Sequence, residues 1–215
     1  MSPKRMQSFN DDVGVRNRAD VVAAAQIVAA GGIVVYPTET LYALGADAGN
    51  AAALQRLVEL KGREPGKAIS VLVGSLEMLS QIVEEVPEQA AELMRRFWPG
   101  PLTIVLRARP SVSAVLTGDS GGIGVRLSSH AVATALVRAV GRPVTTPSAN
   151  PAGQVPPQRL DEARRYFGAA IDAYVDAGTL PGEPASTVVD ARQVLRVIRP
   201  GAIAAELLHA GVGNR

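Results

Sequence analysis

The chain has 215 residues, with 22 Lys and Arg against 20 Asp and Glu, 47% hydrophobic and 4% aromatic residues. That is the length of one domain, too apolar for a disordered chain, with a core that must come from Val, Ala, Leu and Ile. A net charge of +2 argues against a nucleic-acid coat protein, and the absence of Cys excludes disulfides, thiolate zinc sites and a Cys nucleophile.

No N-terminal apolar segment marks a signal peptide, and no apolar run reaches the roughly 18 residues of a membrane span. The expectation is a cytoplasmic protein without membrane contact. Residues 1–18 are polar and predict a loosely held arm; residues 19–210 predict a single domain. Asp20 is placed to cap a helix through Ala30, ended by Gly31-Gly32. Ile33 to Tyr36 reads as a buried strand stopped by Pro37. Asn50 caps a helix running to about Lys61. Ala68 to Val73 is the next strand, and Leu76 to Phe97 one or two helices broken near Pro87. Strands follow at Leu102–Leu106 and Ile123–Leu127, then a helix from His130 to Val140 and a short strand at Val144–Thr146. Pro157 to Phe167 reads as helix, and 173–175, 186–190 and 194–198 as late strands. A last helical turn covers 203–209. Alternating strands and helices predict an α/β fold with a mixed sheet. The proline-rich stretch 147–157 is the candidate lid.

Two motifs mislead. Gly118-Asp119-Ser120-Gly121-Gly122 spells a serine-protease nucleophile, but both histidines, His130 and His209, follow the Ser, and no disulfide is available. It reads as a glycine-rich turn entering a strand. Gly62 to Ala68 imitates a phosphate-binding loop, yet it is one residue short and follows a helix rather than a strand.

Four other segments concentrate polar groups. Pro37-Thr38-Glu39-Thr40-Leu41-Tyr42 follows a buried strand, where α/β proteins hold ligands; a capped helical turn at Thr38 fits equally. Lys61, Arg63 and Lys67 suit a polyphosphate, or a solvated helix end. Thr145 to Asn150 offers hydroxyls, an amide and turn backbone to phosphate oxygens, or forms an ordinary side-chain-bonded turn. Ser186-Thr187 and Arg199-Pro200-Gly201 lie on successive strands, with Arg126 at another strand end; an Arg there grips a carboxylate or phosphate, or makes a rim ion pair.

Taken in order, the runs GGIVVYPTETLYALGADA, KGR, WPGPLTIVL, GIGVRLSSH, TTPSANPAGQ, PASTVVD and VIRPG resemble the YrdC/TsaC family of threonylcarbamoyl-AMP synthases across residues 20–201. The pairs Lys61/Arg63 and Ser148/Asn150 match the family's KxR and SxN signature. The resemblance implies a twisted open mixed sheet with helices around a large positively lined cavity, in a short form without a further C-terminal domain. It implies condensation of L-threonine, bicarbonate and ATP, with Mg2+, into threonylcarbamoyl-AMP and diphosphate. Downstream transferases then carry the threonylcarbamoyl group to tRNA, with at most a weak RNA contact here. The catalytic set implied is Lys61, Arg63, Ser148 and Asn150. Threonine falls to Thr38, Arg126, the backbone at Thr146, and Ser186. ATP falls to Arg63, Lys67, Ser148 and Arg199. No side chain is assigned to a metal. Lys67, Pro156 and Gly122 depart from what some members carry at those places. An RNA-binding module or an inactive regulatory paralogue of the same fold is the alternative.

Overall fold

A computed structural model describes residues 15–64, 66–182 and 184–209. Most of the expected arm, residues 1–14, lies outside them. The first helix, α1, spans Val15–Ala29, so it begins before Asp20 rather than being capped by it. Its buried residues Val21, Ala24, Ala25 and Val28 recur at helical spacing and form the stripe that faces inward.

β1 (Val34–Pro37) and β2 (Tyr42–Gly45) follow as an antiparallel pair, with Pro37 opposite Tyr42. The PTETLY segment is therefore a hairpin turn, not a capped helical turn. All eight strand residues are buried, which explains the unbroken apolar run in the sequence.

α2 (Ala51–Lys61) has the expected cap, with the Asn50 side chain accepting a hydrogen bond from the Ala53 amide. It ends at Gly62 in the left-handed region, φ 54°, which a side-chain-bearing residue adopts only at a cost. Its inner face carries Ala53, Leu54, Leu57 and, at the same spacing, Lys61. Fully burying Leu57 contributes about 1.5–3 kcal/mol.

The remaining elements are β3 (Val71–Leu72), α3 (Leu76–Ser80), α4 (Glu88–Phe97), β4 (Leu102–Arg107), α5 (Ala114–Thr117) and β5 (Gly122–Arg126). They continue with α6 (Ala131–Val140), β6 (Val144–Thr145), α7 (Leu160–Phe167), β7 (Ala173–Tyr174), β8 (Thr187–Asp190), β9 (Arg196–Arg199) and α8 (Ala205–His209). The expected strand at 68–73 shortens to two paired residues, and the helix expected from Pro157 begins only at Leu160. There Glu162 accepts from the Gln158 and Arg159 amides.

The strands form two open mixed sheets rather than one, ordered β2-β1-β7 and β6-β3-β5-β4-β8-β9. β1–β7, β3–β5 and β4–β8 are parallel; the other pairs are antiparallel. The sheets meet along residues 143–150, which run antiparallel to β2 through bridges at Ala43–Ser148 and Asp47–Val144. Leu44 donates to the Pro147 carbonyl at 2.8 Å, Ala149 donates to the Tyr42 carbonyl at 2.9 Å, and Thr145 donates to Ala46 at 2.9 Å. The buried Thr145 hydroxyl adds two more bonds across this seam, to the Leu44 carbonyl and from the Ala46 amide. α1 and α6 pack on each other over the three-stranded sheet. Among the described residues no helix is long and apolar enough to cross a membrane.

Because the Asn50 cap satisfies an otherwise open amide, Asn50→Ala should cost about 1 kcal/mol in chemical unfolding. A loss below a few tenths would mean that the cap contributes little here.

Candidate active site

Between the seam, the hairpin turn and the last strands lies a cavity of about 440 Å3. Its wall carries five arginines (Arg63, Arg126, Arg192, Arg196 and Arg199) and one acidic residue, Asp190. The lining is therefore strongly cationic although the whole chain is near neutral.

The hairpin supplies Thr38. Its hydroxyl donates to the Leu41 carbonyl at 2.7 Å and lies 3.1 Å from the Thr40 hydroxyl. The turn thus fixes both threonines at the cavity edge. Arg126, at the end of β5, is 4% exposed. Its Nε donates to the Gly100 carbonyl at 3.3 Å, and its Nη2 lies 2.7 Å from Glu39 Oε1 and 3.4 Å from Thr40 Oγ1. Burial pushes the Glu39 carboxyl up, but Arg126, helped by Ser128, outweighs that and holds it below the usual carboxylate range.

From β9, Arg199 donates to the Ser186 carbonyl and hydroxyl at 2.8 and 3.1 Å, joining the two late strands as expected. Burial, then the nearby Arg126 cation, lowers its pKa, although a guanidinium stays charged. Ser186 also lies 3.2 Å from the Thr103 hydroxyl. Thr146 donates its amide to the Ser70 carbonyl at 2.8 Å. Its backbone N–H is therefore engaged, while its hydroxyl is buried with no partner among the described residues. Arg63 donates to the carbonyls of Lys67 and Ala68 at 3.2 and 2.6 Å. Burial lowers its pKa as well.

Thr38, Arg63, Arg126, Thr146, Ser148, Ser186 and Arg199 therefore come together on one wall. Lys61, Asn150 and Lys67 do not. Lys61 lies beneath, its ammonium donating to the carbonyls of Ser148 and Asn150 at 2.6 and 2.7 Å. The Asn150 amide donates to the carbonyls of Pro151 and Gln154, so it folds its own loop. Lys61 holds the 148–150 backbone and Asn150 holds the turn at 150–154, and neither reaches the cavity. Lys67 is 60% exposed and pairs with Glu64 at 2.6 Å. Pro156 does line the cavity. At Gly122 an added Cβ would lie 2.8 Å from Arg192 Nη1, so that guanidinium occupies the space a side chain there would need.

The 147–157 stretch is not a free lid. Its first half is bonded to β2, Ala152 donates to the Lys61 carbonyl, and Tyr166 donates to the Val155 carbonyl. Ser120 lines the cavity, but its hydroxyl donates to the Thr117 carbonyl and accepts from the Gly122 amide, as a turn residue does. Sequence reasoning missed Thr40, Ser70, Arg192 and Arg196 in the wall. Only the two arginines had a visible signal, as basic residues closely following Asp190.

Burial, with the Arg63 cation adding to it, pushes the Lys61 ammonium down to about 8 from its ordinary 10.5. Between those values the unfolded chain binds more protons than the folded one, so this group makes stability rise with pH. Lys61→Met should remove that rise. Urea unfolding between about pH 7 and 10 should show the wild type gaining on the variant as pH increases. A pH-independent difference would mean that the buried ammonium is not penalised.

Comparison with known proteins identifies the family. A family model for Sua5, YciO and YrdC, described as telomere recombination, matches residues 26–201. A putative threonylcarbamoyl-AMP synthase of Mycobacterium tuberculosis is 38% identical over 194 residues, 90% of this chain and 89% of that one. A threonylcarbamoyl-AMP synthase of Pyrococcus abyssi is 35% identical over 206 residues, 94% of this chain and 61% of that one. The crystal structure of P. abyssi Sua5 complexed with L-threonine matches with a TM-score of 0.87 at 34% identity, covering 91% of this chain and 58% of that one. The chain thus spans less than two thirds of the Pyrococcus protein. The match runs through the hairpin, the seam and the late strands that form the cavity, and the chain belongs to the Sua5/YciO/YrdC family.

Proposed function

We propose that this protein is an L-threonylcarbamoyladenylate synthase, an enzyme that joins L-threonine, bicarbonate and ATP for tRNA modification. The observation that carries the reading is the convergence of five arginines with Thr38, Ser148 and Ser186 on one cavity, in a chain similar to proteins of that activity.

The chemistry asks for what this wall provides. Threonine's amine takes up bicarbonate, losing water, to give a carbamate. A carbamate oxygen then bonds to the α-phosphorus of ATP, the bond from that phosphorus to the bridging oxygen breaks, and diphosphate leaves. Two anions must meet and a third must depart. No enzyme nucleophile is needed, which accords with a chain that has no Cys. The barrier falls through positioning and through fixed positive charge at the developing charge.

Arg126, Thr38 and Ser186 form the amino-acid end. Arg63, Ser148 and Arg199 form the nucleotide end. Lys61 acts by fixing the 148–150 backbone and Asn150 by fixing the turn that follows it, which are positioning roles. Arg192, beside Gly122, adds a further cation to the lining. Among the described residues no group of three or more His, Asp or Glu could hold a metal ion. Asp190, the acidic residue of the wall, is tied to Arg192 at 2.7 Å. This donor set suits a magnesium ion carried on the nucleotide's own phosphates, and Ser148 would offer it a hydroxyl. When bound, the ion would neutralise phosphate charge. Transfer of the product to tRNA is left to partner proteins.

Diphosphate release by the purified protein should require ATP, bicarbonate and L-threonine together. Release without threonine, or none while ATP binds, would overturn the assignment. Arg63→Ala and Ser148→Ala should each cost roughly 2–4 kcal/mol of transition-state stabilisation, read as kcat/KM, in proteins that still fold. Wild-type turnover in both would remove these residues from the site.

A further inference from the structure

Glu39 sits in the hairpin turn with no role in the reaction derived above. It is nonetheless the carboxylate paired with Arg126, inside the protein. The two side chains are 15% and 5% exposed, and their closest N–O distance is 2.7 Å. A buried ion pair on the edge of a binding cavity is costly to desolvate and is retained here beside a group meant to meet an anion.

Counting donors shows what the pair does. The Arg126 Nε is occupied by Gly100, and Nη2 faces Glu39 and Thr40. Nη1 is left without a protein partner among the described residues, on a side chain that lines the cavity. Glu39 is itself fixed from behind. The Ser128 hydroxyl donates to its Oε2 and accepts from the His130 amide at 3.1 Å, at the start of the ten-residue helix α6. The Thr134 hydroxyl holds the Ser128 carbonyl at 2.9 Å. The chain of contacts runs from a rigid helix through Ser128 and Glu39 to the guanidinium. His130, packed nearby, is kept on the neutral side by burial, with the Glu39 charge opposing this.

We infer that Glu39 is a positioning residue for amino-acid recognition: it clamps the Arg126 guanidinium so that Nη1 is presented to the substrate carboxylate. The inference rests on the threonine reading above and deepens it. Glu39 does not touch the substrate. It also sets the charge balance, because a carboxylate arriving at Arg126 joins one that is already there, so aim rather than net attraction governs affinity.

The test is threonine binding by calorimetry, with diphosphate release measured alongside, for wild type, Glu39→Gln, Glu39→Asp, Ser128→Ala and the Gln/Ala double variant. Glu39→Gln should weaken threonine roughly tenfold in Kd and KM while the KM for ATP stays within about twofold. Glu39→Asp should recover part of the loss. Ser128→Ala should weaken threonine in the same direction but by less, and should add nothing in the Glu39→Gln background, since its effect travels through Glu39. Thermal melts identify any variant that fails to fold; Ser128→Ala keeps the test open if Glu39→Gln does. Unchanged or tighter threonine binding in folded Glu39→Gln overturns the inference, as does an equal loss for ATP or full additivity with Ser128→Ala. A wild type that binds threonine without turnover sinks the synthase reading alone. A wild type that does not bind threonine sinks both.

Discussion

Everything at the site depends on the pairing of residues 143–150 with β2. That segment is an edge for both sheets at once. It closes the three-stranded sheet on one side and, through β6, leads into the six-stranded sheet on the other. An unpaired β2 would leave a row of buried amides and carbonyls without partners, at about 1–3 kcal/mol each. The Thr145 hydroxyl, donating to Leu44 of β2 and accepting from Ala46 just past its end, locks the register. Only then do Thr146 and Ser148 face the hairpin across the cavity.

The second constraint is charge. Five arginines around one cavity repel each other, so each is tied to a carbonyl or carboxylate before any ligand arrives. Arg63 is held by two backbone carbonyls, Arg199 by Ser186, Arg192 by Asp190 and Ser120, Arg196 by Asp190 at 3.9 Å, and Arg126 by Gly100 and Glu39. Side chains already immobilised lose little rotamer freedom on binding, and their dipoles need little reorganisation when charge develops. Lys61 is the extreme case: a buried cation spent on holding backbone.

Much of this was legible in the chain. The Asn50 cap, the break at Pro87 and the strand at Leu102 are written in local chemistry, and the structure has them. The PTETLY turn was not, because a hairpin and a capped helical turn share the same Thr and Glu at the same offsets; the strand pairing that decides between them is a long-range fact. The division into two sheets was hidden for the same reason, as no local pattern says which strand edges meet. Arg63, Ser148, Ser186 and Arg199 stood out as polar residues at strand and helix ends. Lys61 carried an unused signal: it continues the Leu54–Leu57 stripe, which says that its stem is buried. Lys67 looked like its equal in sequence, but burial separates a cation that shapes a loop from one that is solvated. Arg192 meets the wall beside Gly122, seventy positions earlier, where an added Cβ would crowd its guanidinium.

The seam also joins folding to ligand capture. Thr146 and Ser148 belong to the cavity and to the junction of the sheets, so a molecule bridging them to Thr38 holds the two sheets together. By mass action its binding free energy adds to that of the junction, by about 2.7 kcal/mol at a hundredfold excess over Kd. The saturated enzyme and the empty one are then different proteins to a protease or to heat, and the scarcity of a substrate is felt as fragility of the fold.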